Sequence, residues 1–191
     1  AESYQIRYLA REIKKFKRAY PSLRYHITSG DTEQVTEKLE KGLLDFAVLA
    51  EKPDSSKYNF ILFPESDTWG LILPAAHPLA KKKAIQMDDL IELPLFCSEQ
   101  AWNTEIAEWC KGHIDKLHLE GSFRLSYNGA MFAKEGLGCL LTYRHLIDTS
   151  PGSGLVFRPL KPELKANMYL IWKKYQIFSK AANIFLQSLR E

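Results

Sequence analysis

The chain has 191 residues, of which 46% are hydrophobic and 26% are charged, and these values are typical of a globular protein with one large domain or two small lobes. Its formal charge of +3 is small and the basic residues are spread along the chain, so charge alone gives no indication of nucleic-acid binding. No apolar run approaches the roughly 20 residues that span a bilayer, and the chain starts without the apolar core of a secretory signal.

The cysteine pattern also excludes two classes of protein. The chain has 3 cysteines, Cys97, Cys110 and Cys139, without C-x-x-C spacing. An odd number at these spacings is typical neither of a disulfide framework nor of a structural zinc site. We therefore expect a soluble protein of the reducing cytoplasm, with no membrane contact.

The first part of the chain alternates predicted helices with predicted strands. Apolar residues recur at three- and four-residue spacing up to Tyr20, and Pro21 ends that helix. The run LLDFAVLA is almost continuously apolar, which favours a central parallel strand that is buried on both faces. The elements predicted here are a helix over Ser3–Tyr20, a strand over Leu23–Thr28, a helix over Thr32–Lys41 that ends at Gly42, and strands over Leu43–Leu49, Phe60–Phe63 and Trp69–Leu73.

A polar stretch, Pro74–Lys83, interrupts this pattern and is interpreted as a lobe boundary. A second alternating set follows, and alternation of this kind predicts a parallel sheet wrapped by helices. Because a doubly wound sheet normally opens with a strand, we expect the first strand to lie upstream of Ala1. The predicted strands are Pro94–Cys97, Leu117–Leu125, Leu137–Thr142, Leu155–Phe157 and Met168–Trp172, and the predicted helices are Thr104–Lys111, Gly129–Glu135 and a last one capped by Ser179 and packed on the first lobe.

Several segments, taken in order, carry a family resemblance. They are YPSLRYHITSG, LEKGLLDFAVL, DTWGLILPAAHPLA, DDLIELPLF and EGLGCLLT, followed by a return strand and a final helix. Together they resemble the effector (co-inducer) binding domain of LysR-type transcription regulators over essentially the whole chain. The resemblance implies an α/β type II periplasmic-binding-protein fold: two Rossmann-like lobes joined by two crossover strands, with a ligand in the cleft between them. Lobe I is expected at residues 1–73 plus 167–191, and lobe II at 74–166.

Ligands of open α/β sheets sit beyond the carboxyl ends of strands, where helices begin. Members of the family place effector contacts at such helix starts, so the resemblance implies this role for Ser3, Ser29, Ser98 and Asn128 in particular. Helix capping is the alternative role of these residues, and one residue can fill both roles. The acids Asp31 and Glu99, if they face the ligand, favour an amine or hydroxyl groups. The full set of predicted ligand-binding residues is Ser3, Tyr4, Ser29, Gly30, Asp31, Thr32, Ala50, Ser98, Trp102, Asn103, Tyr127, Asn128 and Gly129.

Other features have a plain structural interpretation beside a functional one. Trp102, Tyr127 and Phe132 either stack on a ring-bearing ligand or pack in the core. Cys97 is either a thiol switch, as in redox-sensing members of the family, or a buried inert thiol. The basic face of the first helix either contacts phosphates or is solvated. In each case the structural interpretation is favoured.

The sequence shows no catalytic or metal-binding motif. G-x-S-x-G, H-E-x-x-H and P-loop patterns are absent, and the 5 histidines have no metal-site spacing, so we expect no enzyme, no metal and no cofactor. The prediction is a sensor of a small-molecule effector that forms a homodimer, or a higher oligomer at full length, and contacts DNA only through an N-terminal winged helix-turn-helix missing from this chain. The alternative is a solute-binding protein of a transport system.

Overall fold

The computed structural model describes residues 2–190, which form two compact units. The first unit holds Ser3–Ser66 and the chain from Asn167 onward, and the second holds Asp67–Ala166 together with Glu2. The sequence placed the first boundary after Leu73. That boundary is wrong, because the strand that contains Leu73 pairs along its length with strands of the second unit.

The elements of the described chain alternate as the sequence predicts, with some shifted ends. Short 3₁₀ turns lie at Tyr4–Ile6, Pro78–Lys81, Met87–Asp89 and Ile114–Lys116, and a π-helical turn lies at Trp102–Ile106. The strands are β1 (Ala47–Leu49), β2 (Tyr58–Leu62), β3 (Asp67–Pro74), β4 (Pro94–Ser98), β5 (His118–Phe123), β6 (Cys139–Tyr143), β7 (Leu155–Pro159), β8 (Lys165–Ala166) and β9 (Tyr169–Lys173). The α-helices are α1 (Arg7–Ala19), α2 (Thr32–Glu40), α3 (Glu99–Ala101), α4 (Ala107–Trp109), α5 (Ser126–Lys134) and α6 (Lys180–Ser188).

The first unit contains a three-stranded sheet in the order β1-β9-β2, and both pairs are antiparallel. The expected central parallel strand over Leu43–Leu49 is therefore wrong. Only Ala47–Leu49 pairs, and it forms an edge of the sheet. Apolar residues at Leu43 and Leu44 belong to the turn after α2, where Leu43 is 69% exposed. A continuous apolar run indicates burial, and it does not by itself set strand length or direction.

The strand predicted over Leu23–Thr28 does not form. These residues have no regular secondary structure and no ladder partners in the described chain, and Tyr25 and Ile27 are exposed by 55% and 70%. Their β-branched and aromatic composition favours a strand, but a strand needs a neighbour for its backbone N–H and C=O groups. The segment has no such neighbour in the described chain.

Helix ends in the first unit follow local sequence signals. The Asp31 carboxylate accepts a hydrogen bond from the Gln34 backbone N–H at 2.8 Å, which starts α2. Gly42, at φ +70°, lies just after its end, as predicted. Ser179 caps α6 through the Ala182 N–H at 3.2 Å.

The last helix covers α1. The rings of Phe16 and Phe185 lie 5.7 Å apart, and Ala182, Leu186 and Leu189 are buried. The prediction that this helix packs on the first lobe is thus confirmed.

The second unit contains a mixed sheet in the order β5-β4-β6-β3-β7. Strand β4 runs parallel to both β5 and β6, as the expected parallel sheet requires, whereas β3 is antiparallel to β6 and β7, so the expectation fails for this part of the sheet. One face of the sheet packs on α5, where Ala130 and Ala133 meet Ile72, Leu140 and Phe157 in an apolar cluster.

Two helical segments of this unit begin earlier than the sequence predicts, at Glu99 instead of Thr104 and at Ser126 instead of Gly129. A search of the described residues for helices with the length and apolar character of a membrane span finds none.

Candidate ligand-binding site

The parallel strands of the second unit end together at one edge of the sheet. Ser98, the last residue of β4, pairs in register with Phe123, the last residue of β5. On the other side of β4, Phe96 pairs with Leu140, and continuing that register by two residues brings Ser98 level with Thr142 of β6. Helical segments begin directly after β4 and shortly after β5. This carboxyl edge is the kind of place where open α/β sheets bind ligands.

Buried polar side chains gather at this edge. Ser126 and Thr142 are 8% and 3% exposed, and their hydroxyl oxygens lie 2.8 Å apart. Asp67, which begins β3, is 3% exposed. Because β3 is antiparallel to β6, its first residues lie at the end where β6 finishes. Buried polar groups carry more information about function than the surrounding apolar core does.

Ser126, Thr142 and Asp67 were not among the ligand-binding residues predicted from the sequence. The available signal was weak, because polar residues beside apolar runs are common and the proximity of these three depends on how strands and α5 pack together. Ser126 was also placed before the helix instead of at its first position.

The start of α5 accepts an acidic side chain. The Ser126 backbone N–H donates a hydrogen bond at 3.2 Å to the carboxylate of Glu2, a residue that groups with this unit. A carboxylate at this position is favoured by the free amides and the dipole of the helix. The predicted residues Tyr127 and Asn128 lie in the same first turn, and both are exposed, Tyr127 by 66%.

Gly129 has a clear packing role. A Cβ atom at this position would lie 2.7 Å from the Phe123 ring and 3.0 Å from Leu140 Cδ1. The missing side chain therefore lets α5 lie directly on the sheet. This contact holds the first turn of α5 at the strand ends.

The predicted residues Trp102 and Asn103 fall in the π-helical turn between α3 and α4. The Asn103 side-chain amide donates to the Glu99 carbonyl at 3.0 Å, and the Thr104 hydroxyl donates to the Gln100 carbonyl at 2.8 Å. These side chains bind carbonyl groups that an ordinary α-helix would pair with backbone amides. Single π-turns are frequent at functional sites.

Ser98 caps the helical segment that follows β4. Its hydroxyl accepts a hydrogen bond from the Ala101 N–H at 3.3 Å. Ser3 has the same role in the first unit, where it is buried and its Oγ accepts from the Gln5 N–H at 2.9 Å. Capping is thus observed for Ser3, Ser98 and Asp31.

The remaining predicted residues of the first unit lie around α2 and β1. Ser29 is exposed, Gly30 is buried, and the Thr32 carbonyl accepts a hydrogen bond from the Thr36 hydroxyl at 2.7 Å. Ala50 follows β1, which packs on α2 through Val35 and Leu39. Tyr4 is 38% exposed and lies under the Arg7 guanidinium at 4.5 Å.

The thiols are buried, and burial raises the pKa of each. Burial raises the pKa of Cys139 to about 11 and raises that of Cys97 well above its usual range, with a further contribution from the Glu105 charge. All 3 cysteines are free and buried, so each is a neutral thiol at physiological pH. Within residues 2–190, no cluster of acidic, histidine and cysteine side chains is arranged to hold a metal ion.

The chain has two α/β units, and the parallel strands of one unit end at a polar edge. These features are typical of ligand-binding modules. Comparison with known proteins gives the family. The model of the LysR substrate binding domain matches residues 1–191, so this chain belongs to that family.

Relatives at the sequence level are transcription regulators. The HTH-type transcriptional activator CmpR of Synechocystis is 25% identical over 186 residues, which cover 95% of this chain and 61% of CmpR. A probable nitrogen assimilation transcriptional activator of Synechococcus elongatus is 24% identical, with 96% of this chain and 62% of the relative covered. The chain therefore spans about six tenths of the length of the curated relatives it matches.

Solved structures confirm the fold. The effector binding domain of QuiR, in complex with shikimate, superposes with a TM-score of 0.83 at 15% identity over 98% of this chain and 92% of that chain. The Synechocystis CcmR regulatory domain, in complex with 2-PG, superposes with a TM-score of 0.75 at 20% identity. The match covers 97% of this chain and 91% of that chain. The expected type II periplasmic-binding-protein fold is thereby confirmed.

Proposed function

We propose that this chain senses a small-molecule effector for a LysR-type transcription regulator. The observation that carries the proposal is the polar carboxyl edge of the second unit, where Ser98, Ser126 and Thr142 come together in a chain of the LysR substrate binding family. A sheet that is otherwise apolar places hydroxyl groups and two helix beginnings at this edge. Such an arrangement suits a ligand rich in oxygen atoms.

We propose ligand contacts in each unit, at the helix starts that the sequence predicts. In the second unit the proposed contacts are the first turns that contain Ser98 and Asn128. In the first unit they are the helix starts that contain Ser3 and Ser29. Capping and ligand binding are compatible at these positions, because a hydroxyl group has one donor and two acceptor sites.

The effector would act by changing the population of conformations. A ligand shifts an equilibrium only by as much as its affinity differs between the two states. We propose that the selected state is passed, through a homodimer, to a DNA-binding domain outside this chain. A regulator works where its DNA is, so we propose that the protein is cytoplasmic. Effector sensing requires binding alone, so we propose no enzymatic activity.

A screen by thermal shift tests the proposal. We expect at least one compound in a metabolite panel of hydroxylated carboxylates, phosphates and amines to raise the melting temperature at saturating concentration. Ser98→Ala and Asn128→Ala should weaken binding of that compound without unfolding the domain. Ser122→Ala is the matched control, since Ser122 lies exposed on β5, and it should bind as the unaltered chain does. A folded sample that no compound stabilises would contradict the proposal.

A further inference from the structure

One hydrogen-bond donor inside the second unit is left without a partner. Trp69 is 3% exposed, and its indole Nε1 has no hydrogen-bond partner among the described residues. An unpaired buried donor destabilises a folded protein, and folded proteins leave few of them. Buried tryptophans in particular usually find an acceptor for this group.

The backbone groups and the ring face of Trp69 all have partners. Its backbone N–H donates to the Leu164 carbonyl at 2.9 Å, and its carbonyl accepts from the Leu160 N–H at 3.2 Å. Its ring meets the Tyr143 ring edge to face, with centroids 4.5 Å apart. The residue is therefore firmly held, and the missing bond is specific to the indole N–H.

The position of Trp69 in the sheet connects this donor to the candidate site. Trp69 pairs with Tyr143, and the next pair along the two strands is Gly70 with Thr142. Thr142 is the residue whose hydroxyl bonds Ser126. Because β6 ends at Tyr143, the Trp69–Tyr143 pair lies one step closer to the carboxyl edge than the Gly70–Thr142 pair. Successive strand residues point to opposite faces, so the Trp69 ring lies on the face of the sheet opposite the hydroxyl pair and α5. The unpaired donor is therefore close to the carboxyl edge, where we place the effector, and would reach it from the other face.

We propose that the Trp69 indole N–H donates a hydrogen bond to an oxygen atom of the bound effector, an inference that depends on the proposed function. An indole is a donor only, so it selects an acceptor such as a carboxylate, carbonyl or hydroxyl oxygen and gives nothing to an ammonium group. Nε1 is covered in this structure. The bond therefore forms in a conformation that opens the surroundings of the ring, and its formation stabilises that conformation.

Nuclear magnetic resonance of the indole groups provides a direct test. The chain has 4 tryptophans, and selective ¹⁵N labelling with single Trp→Phe variants assigns each Nε1–H signal. Shikimate and a panel of hydroxylated carboxylates, phosphates and amines are added one at a time, with thermal shift as the independent measure of binding. We expect every oxygen-rich compound that binds to move the Trp69 signal downfield, the direction in which hydrogen bonding moves a proton.

Affinity measurements on variants complete the test. Trp69→Phe should weaken binding of the same compound about tenfold, the equivalent of one ordinary hydrogen bond. Trp109→Phe is the matched control, because Trp109 Nε1 already donates to the Pro162 carbonyl at 2.8 Å within the same unit, and it should bind as the unaltered chain does.

The outcomes separate the two proposals. If no compound of the panel binds, the proposed function fails and this inference fails with it. If a compound binds while the Trp69 signal stays in place and Trp69→Phe retains full affinity, the inference alone is overturned. A Trp69 signal that is already downfield in the free protein and does not respond to bound compounds would assign the donor to a water molecule, and this too would overturn it.

Discussion

The hydroxyl groups of Ser126 and Thr142 form a 2.8 Å hydrogen bond where helix α5 meets strand β6, and both residues are buried. Each group is the partner of the other. We expect Thr142→Val to lower the free energy of unfolding by about 1–3 kcal/mol, because it leaves the Ser126 hydroxyl buried without that partner. The double variant Ser126→Ala/Thr142→Val should lose less than the sum of the two single changes. Urea unfolding measures all three variants.

Thr142→Ser is the control for this pair. It keeps the hydroxyl group and removes one methyl group, so it should cost no more than about 1 kcal/mol. Strictly additive losses in the double-mutant cycle would show that the two hydroxyl groups are not coupled.

Gly129 tests the packing of α5 against the sheet. In a helix interior, Gly→Ala normally stabilises by about 0.5–1 kcal/mol. Here the new Cβ would lie 2.7 Å from the Phe123 ring, so we expect Gly129→Ala to destabilise the chain by about 1–3 kcal/mol. Lys134→Ala, at an exposed position of the same helix, should change stability by no more than about 0.5 kcal/mol. A more stable Gly129→Ala variant would mean that α5 is free to move away from the sheet.

Thiol chemistry separates a redox switch from inert cysteines. Cys97, Cys110 and Cys139 are buried, and burial raises the pKa of each. A protonated, inaccessible thiol is a poor nucleophile, so we expect a chromogenic disulfide reagent to label the native chain at pH 7.5 far more slowly than the same chain in urea. Fast labelling of the native chain, or a disulfide formed under mild peroxide, would restore Cys97 as a switch candidate.

Hydrogen exchange should distinguish residues 23–28, which were predicted as a strand but do not form one, from the strands that do form. Residues 23–28 have no ladder partners in the described chain, whereas β9 is bonded on both sides. We expect the amides of residues 23–28 to exchange within seconds to minutes at neutral pH and those of β9 to be protected by several orders of magnitude. Equal protection of the two segments would mean that residues 23–28 pair in solution.

These two segments also show how far the sequence predicts the fold. Capping residues and periodicity act locally, which is why Gly42 and Ser179 were correctly placed at helix ends. Strand pairing is not local. The residues of the Leu23–Thr28 segment favour a strand, yet a strand exists only where a neighbour accepts its hydrogen bonds.

The residues of the candidate site also divide into those that local sequence signals predict and those that depend on packing. Ser98 was predictable because a strand end next to a helix start is visible in the sequence. Thr142 was not, because it meets Ser126 only where α5 packs on β6. Trp69 was not, because its pairing with Tyr143, more than 70 positions along the chain, follows from the order β6-β3 and the antiparallel direction of β3. Neither propensity nor periodicity contains these contacts.

The Tyr58 hydroxyl donates a 2.7 Å hydrogen bond to the Glu40 carboxylate in the first unit. Burial, together with this bond, raises the pKa of Tyr58 to about 12 from a usual value of 10.0. Above pH 10 the unfolded chain releases this proton while the folded chain retains it, so folding stability falls as the pH rises from 10 towards 12. Tyr58→Phe should lower stability at pH 7 by about 0.5–1.5 kcal/mol and should make the alkaline loss smaller.

Urea unfolding at pH 7, 10 and 11 measures both effects. Ionisation of the buried cysteines also lowers the folding stability of the chain in this alkaline range. These cysteines are common to all variants, so their effect cancels in the comparison. Tyr175→Phe is the control, because Tyr175 is 94% exposed and should leave both the neutral stability and the alkaline slope unchanged. An alkaline loss in Tyr58→Phe as steep as in the unaltered chain would show that Tyr58 ionises with equal ease in the folded and unfolded states.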